Sequence, residues 1–167
     1  MSATVELRPL GGFAHEMLAP VAGIAKSTAD QTIATTTLTN ATGLWFDVIP
    51  NTDYFFEFFL VHQSAAVTTG LKVAVTVPSS PTYVMYRTEI SVTNTANGTD
   101  NIQSQTFTAS AGAHTAADQI GAAANSVAIV KGVLSNGANA GKIQVQFAGD
   151  AAANITLKKG SYGRLWV

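Results

Sequence analysis

Residues 53–62 read DYFFEFFLVH, and no other stretch restricts the fold of this chain as much. Side chains of a strand alternate between two faces, so Tyr54, Phe56, Phe58 and Leu60 share one side and Phe55, Glu57, Phe59 and Val61 the other. Both sides are apolar. A sheet with one face in water alternates apolar and polar residues, whereas this strand needs cover on both faces. The first set is expected to face a core. The second is expected to be covered by a neighbouring subunit or by the N-terminal part of the chain, since left in water it makes an apolar patch larger than monomers usually expose. Glu57 sharpens the requirement, because a carboxylate buried there without a partner is costly. Arg87, Lys131 and Arg164 each lie in a predicted strand and are the candidate cations.

The same period of two runs through the chain from Gln31 onward. TIATTTL (32–38) is rich in β-branched residues, and GLWFDVI (43–49) follows the turn residues 40–43. In LKVAVTV (71–77), Leu71, Val73, Val75 and Val77 alternate with Lys72, Ala74 and Thr76. Pro78 and Pro81 interrupt the pattern before YVMYRTEISV (83–92) resumes it. Residues 94–125 are polar and small, and read as one short strand near 102–108 and then a long loop or a short helix around 116–123. SVAIVKGVLS (126–135), KIQVQFAG (142–149) and ITLKKGSYGRLWV (155–167) read as three closing strands. Eight to ten strands without an amphipathic helix predict an all-β fold, an antiparallel β-sandwich of jelly-roll-like type. This domain spans 31–167. Residues 1–30, with paired glycines, two prolines and no lasting period, predict an irregular N-terminal arm, in which Pro20 ends any helical turn near Glu16–Leu18.

Charge and chemistry exclude more than they assign. Charged residues make up 11% of the chain against roughly 25% in ordinary domains, leaving an uncharged, hydrogen-bonding surface suited to a chain whose neighbours cover it. A net charge of −1 and scattered basic residues give no electrostatic case for nucleic acid. With no cysteine there is neither a disulfide framework nor a thiolate metal site. His15, His62 and His114 occupy separate segments without ligand spacing and are expected at strand ends or on the surface, so no metal is expected. No run approaches a membrane span, and Glu6, Arg8, His15, Glu16 and Pro20 interrupt any apolar core, so the N-terminus does not read as a secretory signal. Neither a nucleophile elbow nor a phosphate loop is present. Asp47 and Glu57 act as an acid pair only if the fold sets them across one cleft. The reading is a protein that is not an enzyme, with no catalytic, cofactor-binding or metal residues.

Two stretches carry a family likeness. ATGLWFDVIPNTDYFFEFFLVHQSAAVTTGLKVAV joins a T-G-L-x-F turn, an aromatic strand and S-A-A-x-T-T-G-L, and the chain ends in NITLKKGSYGRLWV. Over about residues 30–77 and 126–167 the chain resembles a group of small β-sandwich virion proteins of tailed bacteriophages and prophages, comprising capsid decoration, head-fibre and tail-appendage proteins. The resemblance implies a homotrimeric structural protein of the virion, made in the host bacterial cytoplasm and without nucleic-acid or membrane partners. The leading expectation is a decoration (cement) protein that stabilises the capsid exterior and contacts the major capsid protein or another virion protein. The alternative is a tail or head-fibre tip module that binds a host-surface glycan or protein. Phe55, Glu57, Phe59, Val61, Arg87, Arg164 and Trp166 are the expected subunit-interface residues. Arg8, Pro9, Leu10, Phe13, Met17 and Leu18 are the expected capsid-attachment residues.

Overall fold

The computed structural model describes residues 21–94, 99–116 and 122–167. These hold twelve strands and no helix: β1 (Gly23–Lys26), β2 (Gln31–Ile33), β3 (Thr39–Val48), β4 (Asp53–Ser64), β5 (Leu71–Thr76), β6 (Tyr83–Asn94), β7 (Thr99–Phe107), β8 (His114–Thr115), β9 (Ser126–Ser135), β10 (Gly141–Gly149), β11 (Ile155–Leu157) and β12 (Tyr162–Trp166). They form two antiparallel sheets. The smaller runs β3-β10-β5-β8, and the larger runs β1-β12-β4-β9-β6-β7, with β11 and β2 beside the far end of β4.

The pairing of the central strands is nested. β3 pairs with β10, β4 with β9, β5 with β8 and β6 with β7. This is one long hairpin, β3 to β6 running out and β7 to β10 running back, rolled so that successive strand pairs join opposite sheets. Further pairings of β5 with β10 and of β6 with β9 close each sheet. The result is the eight-stranded jelly roll, widened by β12 and β1 outside β4. The expected β-sandwich is therefore present, with sheets of unequal width.

Alternation fills the space between the sheets. Leu44, Phe46, Leu71, Val73, Val75, Ile143, Val145 and Phe147 from the smaller sheet meet Tyr54, Phe56, Phe58, Leu60, Tyr86, Ile90 and Val130 from the larger, all buried. Each such side chain stabilises by roughly 1.5–3 kcal/mol relative to exposure. The aromatic residues of β4 fit because small residues stand beside them. Phe56 lies opposite Gly132 and Phe58 opposite Gly163. A Cβ at Gly132 would lie 2.5 Å from the Phe56 ring, and one at Gly163 equally close to Phe58.

Four local expectations are corrected. Residues 40–43 do not make a turn between strands but lie within β3, whose register with β10 shifts there. Gly43 takes φ +77°, and the Gln144 amide Nε2 donates to the carbonyls of Ala41 and Leu44 at 3.0 and 3.2 Å, so the turn signal produces a bulge. The closing run 155–167 is two strands, because the turn at Gly160 (φ +90°) lets β11 and β12 pair with successive parts of β4. Between them the Ser161 hydroxyl accepts from the Val61 amide at 3.0 Å, and the Lys158 amide donates to the Val61 carbonyl. The strand expected near 102–108 is longer and earlier, β7 at Thr99–Phe107; of the possible helix, residues 117–121 lie outside the described residues. Finally, the arm boundary at residue 30 falls too late. Residues 1–20 lie outside the described residues, but from Gly23 the chain is sheet, paired with β12. No local pattern in GIAK announces that strand; its order comes from residues 162–165.

Candidate interaction face

The outer side of the larger sheet carries the residues the sequence singled out, and the strand registers set them in rows. Trp166, Phe55, Val133 and Met85 form one row across β12, β4, β9 and β6; Arg164, Glu57, Lys131 and Arg87 form the next; Tyr162, Phe59, Ile129 and Glu89 form a third. A line of charges thus lies between an apolar row and a row that is apolar and aromatic up to Glu89 at its β6 end, and Val61 beside Val127 extends the apolar surface. All seven expected interface residues stand on this one face. Lys131, weighed as a cation for Glu57, joins them. Tyr83, Met85, Val133, Ile129 and Tyr162 were missed, although the parity of Arg87, Lys131 and Arg164 within their strands points each to the same side.

The aromatic residues pair across the strands. Phe55 and Trp166 have ring centroids 5.1 Å apart and tilted, Phe59 and Tyr162 are stacked at 5.6 Å, and the Arg164 guanidinium lies 5.3 Å from the Tyr162 centroid. Glu57 is half-buried rather than buried, with the Lys131 ammonium 3.9 Å from its carboxylate. Its cation therefore comes from its own chain, and its charge alone no longer calls for a neighbouring subunit. Arg87 pairs with Glu89 at 3.1 Å and donates to the Ser104 hydroxyl. Ion pairs this exposed contribute about 0–1 kcal/mol each. The apolar rows are the larger feature: Phe55 is 43%, Met85 40% and Tyr83 46% exposed.

At the Trp166 end, the face deepens into a groove of about 710 Å³. Phe55, Tyr83, Val133, Trp166 and Val167 line it, with Asp53, Glu57 and Arg164 among the polar residues. A shallower hollow of about 280 Å³ adjoins it across Phe55 and Val133, reaching Met85 and Arg87. The expected attachment residues Arg8, Pro9, Leu10, Phe13, Met17 and Leu18 lie outside the described residues.

The other titratable groups are set apart from this face. Asp47 is exposed on the outer side of the smaller sheet, held by Lys142 at 2.8 Å, so the sandwich separates it from Glu57 and the two cannot flank one substrate. His62 and His114 are buried rather than on the surface; His114 does stand at a strand end, opening β8, and His62 lies two residues before the end of β4. His114 Nδ1 lies 2.7 Å from the Thr88 hydroxyl. Both ring nitrogens of His62 are buried without a hydrogen-bond partner, and burial pushes its pKa down to about 4. His15 lies outside the described residues. Among the described residues, no three His, Asp or Glu side chains group as metal ligands.

No protein-family model and no curated protein matches the chain. Among solved structures, the chain is weakly similar to the Gt strain of infectious bursal disease virus, at 10% identity and TM-score 0.25, over 95% of this chain and 44% of that one. It is similar to the Gx strain at 12% identity and TM-score 0.22, over 99% and 48%. A mutant VP2 protein of the same virus, in derived T=1 particles, follows at 11% identity and TM-score 0.23, over 99% and 46%. The chain spans about half the length of these chains, and scores of this size carry no argument about function.

Proposed function

We propose that this protein is a non-enzymatic structural component of a bacteriophage virion, a homotrimer that decorates the capsid exterior and stabilises the head. The observation that carries the reading is the outer face of the larger sheet, where two largely apolar rows and a groove flank a line of charges on a jelly roll. A second copy covering part of this face would bury the exposed Phe55 and Met85 side chains. Jelly rolls serve viral capsids but also lectins and cupins, so the fold alone does not choose among them. The resemblance of residues 30–77 and 126–167 to phage virion proteins and the low surface charge support the choice. Trimers held at several weak contacts with the major capsid protein would bind by multivalency, with the arm residues Arg8 to Leu18 as the attachment element.

The tip-module alternative asks the same face to bind a host glycan. The groove offers aromatic walls and the polar residues Asp53, Glu57, Ser135 and Arg164, but its exposed lining is mainly apolar, and for that reason the alternative stands second. The deciding experiment mixes purified protein with undecorated capsids of the phage that encodes it. Saturable addition, with a gain in the temperature at which the capsids open, is expected. Failure to add, together with retention on a host-surface polysaccharide, would establish the alternative instead.

A further inference from the structure

The groove at the Trp166 end lies where the described chain begins. The Ala22 amide donates to the Leu165 carbonyl, and Gly23 pairs with Leu165, so the described chain begins beside Trp166 and Val167, which line the groove. The residues before it, 1–20, read MSATVELRPLGGFAHEMLAP; besides Met1, Val5 and Leu7, their large apolar side chains are Leu10, Phe13, Met17 and Leu18, the last four within one short span. We propose that residues 9–18 of the chain's own N-terminal segment dock in this groove in the free protein.

Reach and composition support this occupant over others. From β1, across β12 and β4, to β9 is three strand spacings, about 14 Å. The eight residues from Phe13 to Val21 span up to about 26–29 Å, so Phe13 reaches the Val133 wall with slack. The lining is mainly apolar, with Phe55, Tyr83 and Trp166 supplying ring faces, which suits Leu, Phe and Met better than a polar ligand. A tethered segment also meets its groove at an effective concentration that no free partner matches. The inference does not depend on the virion reading but adds to it: attachment residues held in the groove would have to leave it when the protein meets a capsid.

The chain has no cysteine, so introduced pairs report proximity directly. In the full chain, Phe13→Cys is combined with Val133→Cys on the groove wall. The control combines it with Asp47→Cys, which is also close to Ala22 but lines the crevice between β1 and β3. The groove pair is expected to form an intrachain disulfide at least about tenfold faster than the control. Equal rates overturn the proposal, and so does a disulfide between chains, which would give the groove to a neighbouring copy's segment. Without cysteines, Phe13→Ser with Met17→Ser in a Trp45→Phe background should shift Trp166 emission to longer wavelength; unchanged emission also counts against docking. A protein that adds to capsids in neither redox state refutes the virion reading and leaves the groove result standing.

Discussion

His62 is a buried imidazole with neither nitrogen satisfied, placed on the core side of β4 where the sequence continues the run of Tyr54 to Leu60. Its folded-state pKa of about 4 lies below its ordinary 6.5. Unfolding therefore takes up a proton between those values, and stability falls as pH drops from 6.5 towards 4, by up to about 1.4 kcal/mol per unit. Over that window the loss is of the order of 3 kcal/mol. His114, also lowered by burial, acts in the same direction. Asp30, held below 3.8 first by its hydrogen bond to Lys158, loses its contribution only at lower pH. His62→Leu should flatten the slope between pH 6.5 and 4 in denaturant titrations, and leave the protein at least as stable as the parent at pH 7, since it removes two unsatisfied polar atoms. An undiminished slope would place the proton uptake elsewhere. Glu57 carries the opposite lesson. Its half-exposed pairing with Lys131 limits the expected loss of fold stability for Glu57→Gln to under about 1 kcal/mol, where a buried lone pair would have cost several. Thermal melts of the two proteins at low concentration check this.

Single elements were legible where their reasons are local. β4 follows from its unbroken aromatic and aliphatic run and β5 from alternation, and the inward residues Phe56, Phe58, Val73 and Val75 are buried. Elements ordered by distant partners were not. β1 is four residues fixed by β12, and the break between β11 and β12 depends on the backbone of Val61. The turn-like residues 40–43 became a bulge because Gln144, about a hundred residues away, satisfies their carbonyls. The candidate face was half legible: its strand parities could be read, but not the registers that align Arg164, Glu57, Lys131 and Arg87 in one row. The complementarity of β4 and β9 makes a prediction at this scale. Gly132→Ala sets a methyl against the Phe56 ring and 2.6 Å from Tyr86 Cβ. Overpacking of this kind costs about 1–3 kcal/mol, and with backbone also close the upper end is expected from chemical denaturation. A variant as stable as the parent would mean that β4 and β9 can move apart without loss.

For the whole molecule, the proposed trimer and the jelly roll make separable demands. Met85 is exposed on the outer face, so Met85→Asp should leave the β circular-dichroism signal intact while dissociating the oligomer. Light scattering on the parent at micromolar concentration is expected to give about three times the 17.3 kDa chain mass; a stable monomer would remove the trimer from the proposal. The nested pairing also dictates the order in which the molecule can be made. β6 and β7 are neighbours in sequence and can pair early, but the Phe-rich β4 waits for both of its flanking strands. Val61 and Ser161, which meet at the junction of β11 and β12, are 100 residues apart. Such distant pairing folds on the millisecond-to-second scale, and on the ribosome β4 emerges long before β9 or β12 exists. Until then its edges and both apolar faces are open to other nascent chains. A chain ended before Tyr162 would keep one of those edges open permanently, and should collect in the insoluble fraction of expressing cells where the full chain stays in solution.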